Sequence, residues 1–293
     1  MVWFLIARFY SRFCRVLSGR FGWRARGLGW FLRRVNFDTV VWVHGAPIFF
    51  DHRVAPCYTW LISGEWNEPE THLFLRAVIL AAGSPVRFVD VGANVGEMVV
   101  DVARLGNVQE VIAFEPNPVC ARALRISALL GGLGQVRVVE KVVKDSSSAA
   151  RFLMTQNAPL GSRIAFNGET GALDFPATTL DLELSAATGP TVVLIDVEGA
   201  ELLVMEGAQE FIRRTRPLLI FEYNELGRSQ YTLDAVRAVL GNGYDICRLG
   251  PGGLLDRNLT NTWNCVAVSQ ESMFCGVCRA LESQRQERRT GAV

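Results

Sequence analysis

An α/β fold, with a mostly parallel sheet and helices on both of its faces, is the class this chain predicts. Two observations carry the prediction. Apolar runs of strand length recur at residues 86–91, 111–114, 136–143, 191–195 and 217–221. Most lack the polar alternation of a half-exposed strand, which is the pattern of strands covered on both faces. Apolar stretches of helical length lie between them, at residues 99–105 and 118–130, as expected of crossovers between parallel strands.

The first run closes on Gly92-Ala93-Asn94-Val95-Gly96 and then opens a helix. Glycine tolerates positive φ, asparagine visits the left-handed region more readily than most residues, and neither keeps a ligand away from the backbone. Asp90, Gly92, Asn94 and Gly96 are therefore candidate contacts for a nucleotide-like ligand seated on the helix N-terminus. One βα unit later the second run ends in Glu115-Pro116-Asn117-Pro118. A carboxylate at that strand tip is where ribose hydroxyls are gripped. The spacing is G-x-N-x-G rather than G-x-G-x-x-G, which favours S-adenosylmethionine (SAM) over a dinucleotide.

Length and composition set the frame. A chain of 293 residues with 49% hydrophobic content holds one large α/β unit and an appendage. Seven scattered cysteines argue against a disulfide scaffold and for a reducing compartment, so a cytoplasmic location is expected. Cys275-Gly-Val-Cys278 has no second pair and no nearby histidine, and reads as small apolar residues on a helix face rather than a zinc site. The net charge of +1 hides an asymmetry: eight arginines and no acid lie within residues 1–37, which leaves −7 for the remainder.

That N-terminal segment predicts a basic amphipathic helix, with Arg8, Arg12 and Arg15 on one stripe. Its uninterrupted apolar stretch is too short for a signal peptide or a spanning helix. Peripheral membrane contact through residues 1–34, packing on another subunit, and capping of the catalytic unit all remain open readings. Nucleic acid is not an expected partner, because the rest of the chain is acidic. Residues 38–66 read as a β-hairpin preamble around His44-Gly45-Ala46. A helix follows from Asn67 or Glu68 to about Ala82, with Pro69 suited to its first turn. Because it leads into the first sheet strand, its N-terminus is expected to border the pocket. Glu68, when not a cap, and His72 are thus candidate substrate contacts.

At the carboxyl end of the fourth strand stand Asp196, Val197 and Glu198; Glu222 and Asn224 follow the fifth. Ligands in open α/β sheets bind beyond those ends. Asp196 is the expected base or polarising group, supported by Glu198 and Glu222. Mg²⁺ held by Asp196, Glu222 and Asn224 is the alternative, since that ion prefers carboxylates and waters. The end of the third strand is where such folds line an adenine ring, so Val142 is the expected apolar wall, and Asp145 either accepts from the adenine amino group or begins the Ser146-Ser147-Ser148 turn.

Taken in order, VDVGANVG, AFEPNP, Thr179-Leu180-Asp181 and Ile195-Asp196-Val197-Glu198-Gly199-Ala200-Glu201 resemble the FkbM-type family of SAM-dependent methyltransferases, over about residues 67–268. The resemblance implies a class I methyltransferase-like Rossmann fold with a seven-stranded sheet whose last strand is antiparallel. It implies O-methylation of a sugar or secondary-metabolite hydroxyl, so a small-molecule or glycan acceptor, and places the long loop of residues 155–173 near substrate at Ser162. The family pattern usually carries lysine before the Ile-Asp pair, where this chain has Leu194. The methyltransferase unit is expected over residues 67–270 and a polar tail over 271–293. Two other readings stand: a nicotinamide-dependent oxidoreductase, disfavoured by the glycine spacing, and a non-catalytic, membrane-associated SAM-binding module.

Overall fold

The structure, a computed structural model, describes Phe9 and residues 38–290 except 55–56, 63, 156–160, 167–168 and 261. The basic helix expected within residues 1–37, and the membrane contact expected through residues 1–34, fall outside that description. Strands β1 (Thr39–Val43) and β2 (Ala46–Phe50) form the expected hairpin. Its two-residue turn holds His44 and Gly45 at φ 46° and 80°, the mirror-image geometry whose twist matches paired strands. The short helix α1 (Thr59–Ile62) precedes α2 (Pro69–Ala81), which buries Thr71, His72, Phe74, Leu75, Val78 and Ile79 along one stripe.

Alternating units follow: β3 (Val86–Val91), α3 (Glu97–Val102), β4 (Val108–Phe114), α4 (Pro118–Leu130) and β5 (Val136–Val139). Phe88 packs into the core on one sheet face and its neighbour Val89 into the core on the other, which is why the run shows no polar alternation. The third strand ends sooner than the sequence suggests. Glu140 pairs with Arg125, and Lys141 reaches Glu183 at 2.9 Å, so the chain leaves the sheet there. β6 (Val142–Val143) pairs instead with β10 (Ala177–Thr178) in a separate two-stranded sheet. Between them β7 (Ala150–Leu153), β8 (Arg163–Ile164) and β9 (Leu173–Phe175) form a small antiparallel sheet spanning the long loop expected over residues 155–173.

The second half runs through α5 (Leu180–Glu183), β11 (Thr191–Ile195), α6 (Glu201–Glu206), α7 (Gln209–Thr215), β12 (Leu218–Glu222), α8 (Glu225–Gln230) and α9 (Leu233–Leu240). It ends with β13 (Tyr244–Gly250), β14 (Leu254–Asp256), β15 (Asn264–Ser269) and α10 (Cys275–Thr290). The main sheet has eight strands in the order β14-β13-β15-β12-β11-β3-β4-β5, not the expected seven. The addition is β14, three buried residues folded back on β13 after Pro251-Gly252-Gly253 and tied by Arg248 to Asp256 at 2.7 Å. The five strands from β12 to β5 run parallel, and β15 lies antiparallel to both of its neighbours. Strand order reverses between β3 and β11, which opens a crevice beyond their carboxyl ends. At the C-terminus Cys275 and Cys278 are buried against the core, so the start of α10 is docked.

Candidate active site

The bend after β3 is built by contact as much as by conformation. Gly92 has φ 93°, and a Cβ there would lie 1.8 Å from the Asp196 carbonyl oxygen, so only glycine lets the two strand ends meet. Gly92 and Ala93 N–H groups both donate to the Phe114 carbonyl at 3.0 Å, and Asp196 N–H donates to Val91 at 2.9 Å. Asn94 sits in the left-handed region at φ 52°. Its N–H donates to Glu115 Oε2 at 2.8 Å, while Asn117 N–H donates to Oε1 at 2.7 Å. The carboxylate at the tip of β4 is thus clamped against the bend, each oxygen retaining acceptor capacity.

A cavity of about 250 Å³ opens on this bend. Of the residues expected at the site, it is lined by Glu68, Asp90, Gly92, Asn94, Glu115, Pro116, Val142, Ser162, Asp196, Glu198 and Glu222. Phe114, Val142, Val143, Phe152 and Ile164 make its wall apolar at the β4–β6 end. Acids crowd the other end. The carboxylates of Asp196, Glu198 and Glu222 each place an oxygen within 4.8 Å of the other two. Glu222 Oε2 is buried without a hydrogen-bond partner among the described residues. Burial, reinforced by the neighbouring Glu222, drives the Asp196 carboxyl well above the ordinary carboxylate range. Burial and the charges of Glu198 and Glu201 push Glu222 to about 8, and burial likewise raises Glu198. At the centre, burial and Glu115 push Asp90 to about 8, while burial lifts Glu115 to about 7 against its two N–H donors.

Several expected contacts do not reach the cavity. His72 is buried behind the wall, 2.7 Å from Asp101 and 3.2 Å from Glu97, because it lies on the inward stripe of α2. Asn224 spends its Oδ1 capping α8 through Gly227 N–H at 2.9 Å, so Glu198 completes the acidic trio in its place. Asn117 caps α4 through Val119 N–H and serves the site only through its backbone. Gly96 faces Leu124 as the N-cap of α3. Asp145 is exposed in the serine turn beside Lys144, the second of its two readings. Glu68 stands at the N-cap of α2 without capping it; its Oε2 accepts from Thr71 Oγ1 at 2.9 Å and Asn264 Nδ2 at 2.8 Å. Glu201 Oε1 accepts from Val197 and Gly199 N–H groups, which braces the Asp196–Gly199 turn where Glu198 takes φ 56°.

Asn67 lines the cavity at the helix N-terminus expected to border it, and three further lining residues carry no expectation from the sequence: Tyr58, whose hydroxyl donates to Asn94 Oδ1, Glu97 and Asn264. Of those three, Glu97 has a local signal, since it follows Gly96 directly.

No curated protein sequence matches the chain. A crystal structure of Methyltransferase FkbM from Methylobacillus flagellatus KT is 20% identical, with TM-score 0.44 over 63% of this chain and 43% of that one, so the chain spans under half of its length. M. jannaschii TYW2 in complex with AdoMet is 15% identical, with TM-score 0.42 over 79% of this chain and 84% of that one. The family model described as Methyltransferase FkbM domain matches residues 90–246, more than half of the sequence, and the chain belongs to the FkbM methyltransferase family.

Proposed function

We propose that this methyltransferase takes SAM as donor and methylates a hydroxyl of a small-molecule or glycan acceptor of the sugar or secondary-metabolite kind. The observation that carries the donor assignment is the clamp of Glu115 on the Asn94 N–H. It sets an acceptor for ribose hydroxyls beside the open backbone of the bend, with the apolar wall around Val142 within reach of an adenine ring. The donor's methyl group then faces the acidic end of the cavity. Transfer from a sulfonium is an in-line displacement with a good leaving group, so alignment supplies much of the catalysis. A hydroxyl is a weak nucleophile while protonated, and Asp196 is the group proposed to take its proton, with Glu198 and Glu222 beside it.

The same three side chains fit a hard divalent cation such as Mg²⁺ in donor type and spacing, and the unpartnered Glu222 Oε2 leaves one oxygen free for it. Bound there, the ion would polarise the acceptor oxygen. Asn224, engaged as a cap, is not part of that set. Among the described residues no helix is long and apolar enough to cross a membrane. The proposed setting is the cytoplasm, with the arginine-rich residues 1–34 available to a membrane surface. The reading is tested with Asp196→Asn on the full chain: SAM affinity by calorimetry within a few-fold of wild type, and methyl transfer lost. Unchanged turnover, or a wild-type protein that does not bind SAM, refutes it. Dialysis against EDTA separates a metal-assisted step from a plain base.

A further inference from the structure

Behind the cavity wall lies a buried ionic chain that methyl transfer, as described above, does not use. Asp101 on α3 is fully buried and receives Arg76 and His72 Nδ1, the latter at 2.7 Å. His72, 2% exposed, stacks flat on Trp66 with ring centroids 4.2 Å apart, and its Nε2 lies 3.2 Å from Glu97 Oε1. Glu97 also accepts from Asn67 N–H at 2.6 Å and from Asn67 Nδ2 at 2.7 Å, and it lines the cavity. Burying ionised groups is costly unless each is paired, and an imidazolium held between two carboxylates satisfies that condition. Burial opposes the charge on His72, yet its bonds to Asp101 and Glu97 outweigh burial and raise its pKa.

The chain ends where the proposed donor would place its amino-acid tail. Across the sheet the apolar wall stands at the β4–β6 side, Glu115 at the tip of β4, and the bend with Glu97 at β3. An adenosyl group laid on the wall and Glu115 therefore carries its tail over β3, toward Asn67 and Glu97. Three acceptor sites of the Glu97 carboxylate are occupied by Asn67 and His72, which leaves one on Oε2 for a further donor.

We propose that Glu97 receives the α-ammonium of the donor's amino-acid tail, and that His72 and Asp101 are positioning residues that hold its carboxylate in place. The inference rests on the SAM reading above. It is tested by calorimetry on the full chain with two neutral thioethers that differ only in that tail, S-adenosylhomocysteine and 5′-methylthioadenosine. In Glu97→Gln, affinity for S-adenosylhomocysteine falls about tenfold or more, the usual weight of a hydrogen bond to a charged group, while affinity for 5′-methylthioadenosine stays within twofold. His72→Asn gives a smaller loss of the same selective kind. Equal losses for both ligands would mark the network as a tie between helices and overturn the proposal, as would unchanged affinity for S-adenosylhomocysteine in Glu97→Gln. Should His72→Asn fail to fold, Glu97→Gln, which keeps one oxygen to accept from Asn67 N–H, decides alone. A wild-type protein that binds neither ligand overturns the SAM reading itself, which keeps the two failures distinct.

Discussion

Gly92→Ala is the sharpest test of how the site is assembled. The added methyl would stand 1.8 Å from the Asp196 carbonyl oxygen, whereas real Cβ contacts essentially never fall under 3.0 Å. The obstacle is backbone, held by the bond from Asp196 N–H to Val91, so the Asp196 peptide must retreat by more than an ångström. A left-handed φ costs a residue with a Cβ about 1–2 kcal/mol, and forced overpacking adds about 1–3. A loss of about 3 kcal/mol lowers Tm by about 6–12 °C in a chain of this size. The same shift carries the Asp196 carboxylate off its line, and displacements of that order cost about 100-fold in rate. Thermal denaturation and methyl-transfer assays measure the two effects separately. Gly83→Ala is the control: φ is +63°, but nothing lies within 4 Å of the added methyl, so only the backbone strain is felt. A Gly92→Ala protein with wild-type Tm and turnover would refute the proposed meeting of the two strand ends.

Two further outcomes follow from the same side chains. Asp90 and Glu222 keep their protons up to about 8 and Glu115 up to about 7, against ordinary values of 3.8 and 4.5, chiefly because of burial. The folded state therefore binds more protons than the unfolded chain between roughly pH 4 and 8, and stability falls as pH rises through that window. Tm of the ligand-free protein should drop from pH 5 to pH 8; a flat profile would contradict the burial of these acids. Asp181 accepts from Glu210 and Phe211 N–H groups at 3.2 and 2.7 Å and so caps α7 from a distance. Asp181→Ala should lower Tm by about 2–4 °C, the effect of about 1 kcal/mol for a lost cap, with turnover unchanged. An activity loss without a Tm change would move that residue into the site.

The parts of this molecule that follow from local pattern were legible before the fold was known. The bend and the acidic tip of β4 announce themselves because the same short segments that form them also form the site. What escaped was set by partners far along the chain. Nothing near Tyr58 or Asn264 signals the cavity; they arrive by packing, at Asn94 and Glu68 respectively. The pattern through Val142-Val143 continues a strand, but those residues pair with Ala177 and Thr178, far along the chain, in a separate sheet. Two of the departures have local causes. His72 shares the inward stripe of α2 with Leu75 and Ile79, and Asn224 stands three residues ahead of Gly227 where a helix needs its cap.

The charge of the cavity then bears on the order of events in the proposed reaction. Glu68, Asp90, Glu97, Glu115, Asp196, Glu198 and Glu222 line it, and Lys141, already engaged with Glu183, is the only basic side chain among the described lining residues. Such a set cannot be fully ionised at close quarters, which is why burial and mutual repulsion hold the carboxyls of Asp196 and Glu222 protonated above the usual range. A base in that state does not accept a proton from a hydroxyl. An opposite charge nearby favours the ionised form, and the donor's sulfonium brings one to the acidic end of the cavity. On the proposed reading, donor binding thus shifts Asp196 toward the ionised form that takes the acceptor's proton. On that reading the acidity of the pocket, costly to the empty protein, couples donor binding to the ionisation of the proposed base.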